Sequence, residues 1–361
     1  MTAIVSELRR TPLLWLLVFV PAVFVAQAVN PDAHTMLFVL AILAIVPLAA
    51  LLSHATESVA AKTGDAVGGL LNATLGNLTE LVIALTALRA GQYMLVKASI
   101  AGAIVTNTLF MLGASFLIGG LAFHVQEFNR ISARLQASLL FLATIALLIP
   151  SAVRLADAGA AASFTTQLSL GLSCLLMVAY ALGMVFSLRT HRELFAASEH
   201  EADEASWPIP VALTMLAVVT VAVALVSEVF VESVQHAAET LGMTPAFVGF
   251  IVVALVGGAA EMASAFSGAR KNRLDLSVGI ALGSAAQIAL FVAPVLVLVS
   301  YVIGPTPMDL RFWPGAVVMM LIATLTASLV TTGGRSAWFV GVLVLMVYLI
   351  FAMTLYLLPP A

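Results

Sequence analysis

The sequence predicts an all-α polytopic membrane protein with about eleven transmembrane helices, which form two inverted five-helix repeats. The composition, the recurring apolar runs and an internal repeat lead to this prediction. Hydrophobic residues make up 62% of the 361 residues and charged residues only 9%. Soluble domains carry roughly 25% charged residues. The composition therefore excludes a soluble globular protein.

Apolar runs long enough to cross a bilayer, about 20 residues each, recur along the whole chain. We interpret each run as a helix, because open strands leave backbone groups unsatisfied in lipid. The first run is not followed by a small-residue cleavage site and a soluble domain, as a signal peptide would be. We therefore interpret it as a retained helix. The predicted spans are 12–29, 35–57, 66–88, 95–122, 134–153, 164–187, 208–232, 245–268, 275–303, 312–331 and 336–358.

The basic residues predict the orientation of these spans. Of the 15 Lys and Arg residues, only Arg89, Lys97, Arg154 and Arg311 fall on the side away from the N-terminus. Cytoplasmic loops carry the excess of Lys and Arg. We therefore expect the N-terminus in the cytoplasm and the C-terminus outside. This assignment counts every basic residue with the loops and tails, including Lys97 and Arg134 at the edges of spans, so no span interior is expected to hold a fixed positive charge.

The loop RTHRELFAASEHEADEASW at residues 189–207 carries five acids and two arginines. It is interpreted either as a solvated connector between the two halves or as a weak cytoplasmic cation sensor. The predicted organisation is a tail and first helix at 1–33, a first repeat at 34–188, the acidic cytoplasmic loop at 189–207 and a second, inverted repeat at 208–361.

The two halves share a pattern at an offset of 181 residues. GNLTE at 76–80 matches GGAAE at 257–261, and Arg89 matches Arg270. The matched spans are five helices apart, so the copies face opposite sides of the membrane. Inverted repeats around a site near the bilayer midplane are typical of secondary transporters. Further matched pairs are Gly68 with Gly249, Gly102 with Gly283, and Leu109-Phe110 with Leu290-Phe291.

Glu80 and Glu261 lie well inside predicted spans that hold no Lys or Arg. An ionised, unpaired side chain in the membrane costs at least about 2.5–3.5 kcal/mol. A proton or a metal cation would neutralise it. A site that binds either one, but not both together, exchanges one for the other. The alternative, a protonated structural group, is disfavoured because the two glutamates recur in register.

Neutral oxygen donors accompany both glutamates. Carboxylates with neutral oxygens suit a hard divalent ion, and Ca2+ tolerates irregular cages better than Mg2+ does. Glycines one turn before each glutamate, Gly76 and the Gly257-Gly258 pair, are expected to loosen the helix and free backbone carbonyls. The polar residues could instead serve as contacts between helices. The candidate donors are Asn72, Asn77, Thr106, Asn107, Ser284 and Gln287.

Three other acids and one histidine lie in or near the predicted spans, and each could be functional or structural. Glu228 lies inside the seventh span, whereas Glu57 and Glu232 lie near span ends. Glu57 could be structural and reach the interface by snorkelling, and Glu232 is interpreted as interfacial. His54 precedes Glu57 by one helical turn, which fits a polar helix end better than a metal pair.

Several motifs resemble the Ca2+/H+ antiporters (cation/proton exchangers) of the Ca2+/cation antiporter superfamily over about residues 35–300. The resemblance implies eleven helices, inverted repeats and a bacterial inner membrane. It implies Ca2+ as the transported substrate, H+ as the counter-ion, no cofactor and no nucleic-acid partner, and it leaves a homo-oligomer open. The motifs are ATESVA (55–60), GGLLNATLGNLTELVIAL (68–85), the acidic loop, GGAAE (257–261) and KNRLDLSVGIALGSAAQIALFV (271–292).

By this resemblance, Glu80 and Glu261 are the central Ca2+ ligands. Gly258 and Met262 depart from the family's usual Gly-Asn-Ala-Ala-Glu-His, so a possible amide ligand and a titratable neighbour of Glu261 are missing. The remaining predicted ligands are Asn77, Thr106, Ser284 and Gln287. The predicted proton and cation path contains Glu57, Glu228, Asn72 and Asn107.

The predicted function is exchange of cytoplasmic Ca2+ for external H+ through alternating access at the paired glutamates, without enzyme activity. The alternatives are Na+/Ca2+ exchange, or exchange of H+ for Na+, K+, Mg2+ or Mn2+. The Na+/Ca2+ branch usually shows Ser-x-Pro-Glu, and NLTE and GAAE lack that proline. A remoter alternative is a metal-dependent membrane enzyme, which would need acids in loops beside Lys or Arg.

The charge asymmetry predicts that residues 189–207 face the cytoplasm. A cysteine introduced by Ser198→Cys, with Cys174 replaced by Ala, should resist membrane-impermeant maleimide in intact cells. It should react once the cells are opened. Labelling in intact cells would place this loop outside and reverse the predicted orientation.

Overall fold

The computed structural model describes residues 12–63, 65–153, 158–191 and 207–357. Nine helices in these ranges are long and apolar enough to cross a membrane. Two pairs of shorter helices, each bent at a break, bring the number of spans to eleven. The predicted eleven-span all-α bundle is confirmed. Residues 192–206 of the acidic loop lie outside the described ranges, so neither interpretation of that loop is tested.

We number the helices α1 to α13 in chain order. They are α1 Pro12–Val29, α2 His34–Ala60, α3 Asp65–Leu75, α4 Leu78–Arg89, α5 Tyr93–Phe123, α6 Arg130–Ala152, α7 Ala158–Val185 (continued by the turn Phe186–Thr190), α8 Ile209–Thr240, α9 Pro245–Gly257, α10 Ala259–Arg270, α11 Leu274–Ile303, α12 Pro314–Thr331 and α13 Trp338–Leu357. Two short strands are β1 Val125–Glu127 and β2 Arg335–Ala337.

Local sequence explains where several helices begin. Asn129 caps α6, because its side-chain oxygen accepts hydrogen bonds from two backbone N–H groups at 3.0 and 3.2 Å. Thr244 caps α9 by accepting from the N–H of Phe247 at 3.1 Å. Pro245 and Pro314 follow the caps of α9 and α12. A backbone N–H at this position has no partner within the helix, so proline, which lacks that N–H, costs no hydrogen bond there.

The helix bounds carry the repeat that the sequence predicts. The offset of 181 residues relates the start of α4 to that of α10, the end of α4 to that of α10, and the start of α5 to that of α11. Helices α5 and α11 also share a wider π-helical turn near their middle, at Thr106–Met111 and Ile288–Val292. The inverted repeat therefore appears in backbone geometry. The outer limits of the repeats, 34–188 and 208–361, stay predictions.

The bundle has two distinguishable ends. At the strand end, β1 and β2 pair antiparallel and Arg335 lies 2.7 Å from Glu127. At the loop end, the connection between α11 and α12 folds over the bundle. Lys97 forms an ion pair with Asp309 of this connection and donates to the carbonyl of Arg311 at 2.9 Å.

Two sequence-based expectations are wrong near the loop end. Lys97 is the fifth residue of α5 rather than a loop residue, so a span does hold a positive charge, which Asp309 neutralises. Helix α8 runs to Thr240, well past the predicted end at 232. Glu232 therefore lies within a helix, where its exposed carboxylate accepts a hydrogen bond from Gln27 at 3.4 Å.

Close helix packing positions the broken segments. Helices α2 and α8 pack along each other, with Phe38 and Phe230 stacked at 5.4 Å between ring centroids. Helix α5 meets α9 through small residues. A methyl group added at Gly102 would collide with the backbone of Phe250, and Gly249 lies directly against Ala98. Small residues allow such close backbone approach in membranes.

Candidate functional site

The two breaks place one glutamate at the start of each second half-helix. The α3–α4 pair bends by 42° and the α9–α10 pair by 60°. Glu80 and Glu261 each lie in the first turn after the break. The free N–H groups of that turn favour a carboxylate, and the preceding half-helix ends in carbonyls without helical partners. The expectation that the helices loosen at Gly76 and at Gly257-Gly258 is confirmed.

A chain of polar contacts joins the first break to α11 and to Glu261. Asn77 donates from Nδ2 to Gln287 Oε1 at 2.6 Å. Ser284 Oγ lies 2.7 Å from Asn77 Oδ1 and also contacts Glu261 Oε2. Asn77 and Ser284 are buried. The structure brings together four of the six predicted ligands, namely Asn77, Ser284, Gln287 and Glu261.

The Ser284 hydroxyl carries a single hydrogen, so its two contacts need a second hydrogen from one of the partners. A protonated Glu261 supplies that hydrogen while Ser284 donates to Asn77. If the amides of Asn77 and Gln287 are both turned about, Asn77 donates to Ser284 and Ser284 donates to an ionised Glu261. The contacts therefore accommodate Glu261 in either protonation state.

The second half of the site is built differently. Glu80 lies against Gly257, whose added Cβ would stand 3.0 Å from Glu80 Cγ and 3.5 Å from its Oε1. Thr106, the position equivalent to Gln287, lies 3.3 Å from Tyr348 Oη through its own hydroxyl. The role of Tyr348 is not predicted from the sequence, because a tyrosine in an apolar last span that also holds Tyr356 carries no pattern that indicates a partner on α5.

Two predicted path residues, Glu57 and Asn72, and the neighbouring His54 lie outside this cluster. Glu57 lies near the end of α2, where it is exposed and accepts a hydrogen bond from Ser53 at 3.2 Å. Asn72 lies on α3 and is exposed. His54 packs edge-on against Trp207 at 4.5 Å, which fits the polar helix end.

Glu228 has a basic partner, contrary to the expectation from sequence. Arg89 extends from the end of α4 and its Nη1 lies 3.4 Å from Glu228 Oε1, near the loop end. Both side chains are at least half exposed. Exposed ion pairs stabilise little. Glu228 nevertheless does not need a proton or a metal ion for neutrality.

The donor set of the central site is two carboxylates with amide and hydroxyl oxygens. Over the described ranges, no three side chains of the His, Cys, Asp or Glu type converge into a metal cluster. Lys and Arg also stay away from Glu80 and Glu261 in those ranges, since the ion pairs there use other acids. Such a set suits a weakly held hard cation. The individual ligand roles stay predictions.

Residues 33–189 match the sodium/calcium exchanger protein family, and residues 211–357 match it again. The chain belongs to this family. A Ca(2+)/H(+) antiporter of Synechocystis is 40% identical over 95% of the chain and 96% of its own length. The Ca(2+)/H(+) antiporter ChaA of Bacillus subtilis is 40% identical over 89% and 92%. The resemblance to Ca2+/H+ antiporters is confirmed.

Solved structures agree with the fold. Native YfkE superposes with a TM-score of 0.82 at 36% identity and covers 96% of this chain and 100% of its own. The H+/Ca2+ exchanger CAX superposes with a TM-score of 0.71 at 15% identity, covering 96% of this chain and 92% of its own. The second likeness, at this low identity, shows the fold alone.

Proposed function

We propose that this protein exports Ca2+ from the cytoplasm in exchange for external H+, through alternating access at Glu80 and Glu261. The membrane is proposed to be a bacterial inner membrane, with the strand end of the bundle in the cytoplasm, because most basic residues lie on that side. The observation that carries the proposal is the pair of intramembrane glutamates at equivalent helix breaks, away from every Lys and Arg that the structure describes. The names of the relatives support Ca2+ and H+ as the exchanged ions.

Neutrality couples the two ions. With Ca2+ bound, the carboxylates of Glu80 and Glu261 balance its two charges, and neutral oxygens from Asn77, Thr106, Ser284 and Gln287 complete the shell. Without Ca2+, protons neutralise the same carboxylates, and the contacts around Ser284 accommodate a protonated Glu261. A state with empty, ionised glutamates is the costly one. Each crossing is therefore made with one ion or the other bound.

The unequal packing of the two repeats supports alternating access. Near the loop end, Gly102 on α5 lies directly against the backbone of Phe250 on α9. Their equivalents near the strand end are Gly283 on α11 and Gly69 on α3. An added Cβ at Gly283 would meet only Gln136, at 3.9 Å. Gly69 packs against Leu188 instead, so at this position α3 does not contact α11 as α9 contacts α5. If the repeats exchange packings, α3 closes on α11 and the site opens at the other end.

Replacing either central glutamate by Gln should abolish Ca2+ transport in proteoliposomes while the protein still folds and inserts. The amide keeps the shape but removes the charge and the exchangeable proton. Glu232→Gln, at an exposed position bonded to Gln27, serves as the control and should transport nearly normally. Near-normal transport by Glu80→Gln or Glu261→Gln would show that this glutamate is structural.

A methyl group at Gly283 should block the conformational change and spare the folded state. Gly283→Ala fits the space in this conformation, but it would clash in the opposite one as Gly102→Ala would here. We expect at least a tenfold slower exchange, with Ca2+ binding to the detergent-solubilised protein retained. The matched control is Gly279→Ala, one helical turn earlier. A Cβ added at Gly279 would meet no atom in this conformation. Its equivalent in the first repeat, Ala98, already has a methyl group in the contact between α5 and α9, so the methyl group of Gly279→Ala should also fit in the opposite conformation. Equal exchange rates for the two variants would contradict the exchange of packings.

A further inference from the structure

The strand end of the bundle carries a concentration of positive charge. Three segments meet at the strand pair, and they contain six basic residues but only two acids. All of these basic residues except Arg273 are exposed. We call the six residues the basic surface. They are Arg130, Arg134, Arg270, Lys271, Arg273 and Arg335, in the segments 124–134, 268–275 and 332–338.

Contacts between the segments bring these charges to one place. Gln126 of β1 donates to the carbonyl of Ala269 at 3.0 Å and to Asn272 Oδ1 at 2.9 Å, which holds the turn between α10 and α11 against the strands. Arg130, the first residue of α6, lies beside Gly334, because a Cβ added to that glycine would stand 3.1 Å from Arg130 Cβ. The basic surface is therefore built from three separate parts of the chain.

The two acids in these segments leave the surface with a net positive charge. Asp275 accepts a hydrogen bond from the backbone N–H of Asn129. Glu127 lies 2.7 Å from Arg335, and both side chains are at least 70% exposed. An exposed ion pair of this kind contributes little stability. Arg335 can therefore exchange Glu127 for another anion at small cost.

An apolar surface directly adjoins Arg335. Trp338 and Phe339 begin α13 with their rings 5.6 Å apart, and their side chains are 44% and 55% exposed. Leu343, about one turn further along α13, is 52% exposed. The backbone of Trp338 is fixed against α5, because a Cβ added at Gly120 would collide with it. Tryptophan is enriched where membrane proteins meet the lipid headgroups, so the basic surface lies at the level of the headgroups.

We propose that the basic surface and the start of α13 together bind an anionic phospholipid, in the leaflet at the strand end. The headgroup phosphate contacts Arg130 and Arg335, and an acyl chain follows Trp338 and Leu343 along α13. Arginine presents paired donors that suit phosphate oxygens, and basic clusters beside membrane spans bind anionic headgroups. A soluble anion would use the arginines but would gain nothing from the adjoining apolar side chains, which favours a lipid. The inference is independent of the proposed function.

Trp338 supplies the signal for the test, because bromine atoms on an acyl chain quench a tryptophan only at close contact. Purified protein is placed in liposomes made of equal parts of phosphatidylglycerol and phosphatidylcholine, with the bromine on one lipid or the other. The signal of Trp338 is obtained by subtracting that of the matching Trp338→Phe variant. We expect at least about fivefold preference for phosphatidylglycerol, since each nearby Lys or Arg contributes roughly that factor. The double variant Arg130→Gln, Arg335→Gln should lose most of this preference.

Glu127→Gln distinguishes lipid binding from a structural role of the ion pair. It frees Arg335 and removes a competing negative charge, so the preference should rise by about two- to fivefold. If the pair only held β1 and β2 together, loss of either partner would change the preference in the same direction. The matched control is Arg311→Gln, which removes an exposed arginine at the loop end and should behave like wild type.

Equal association of the two lipids with the wild-type protein would overturn the inference. So would an unchanged preference in the double variant, a fall in Glu127→Gln, or an equal loss in Arg311→Gln. A preference that appears only after the five acids of the loop at 189–207 are replaced by their amides would also overturn it, since that loop would then cover the surface in place of a lipid.

Discussion

A carboxylate in a hydrocarbon environment must be neutralised, and the arrangement of this protein depends on that constraint. The fold keeps its basic side chains away from Glu80 and Glu261 throughout the described ranges. It interrupts two helices so that each glutamate faces free N–H groups and neutral oxygens. Lys97 and Arg89 show the contrast, because each pairs with an acid near the loop end. The central acids have no such partner in the described ranges, which is the basis for proposing that a transported ion neutralises them.

The two repeats have the same arrangement of helices but pack differently. Their breaks, half-helices and π-helical turns coincide at one offset, yet α5 packs tightly on α9 while α3 and α11 stand apart. The hydrogen-bonded chain from Asn77 to Glu261 orders one half of the site. The other half contains Gly258, a tyrosine from the last helix and Asn107, whose Nδ2 has no hydrogen-bond partner among the described residues. The proposed alternating access would use this inequality, because exchanging the two packings would give a second conformation built from the same contacts.

Much of this architecture could be predicted from the sequence, because the bilayer imposes a length on each span and lipid excludes unpaired charge. The eleven spans, the register of the repeat and the break beside Glu261 follow from these rules. Pairings between distant segments do not. Arg89 and Glu228 lie 139 residues apart, and Thr106 and Tyr348 lie 242 apart. Hydropathy places such residues in a span or a loop but does not specify which side chains of other helices face them.

The measurement that tests the central claim most directly is Ca2+ uptake by purified protein in liposomes of defined pH gradient. Buffers free of Na+ and matched K+ gradients isolate the counter-ion. The account predicts Ca2+ flux that follows the pH gradient in size and direction, with an opposite movement of protons, because the same glutamates bind both ions. Ca2+ flux that requires a Na+ gradient and ignores the pH gradient would contradict it.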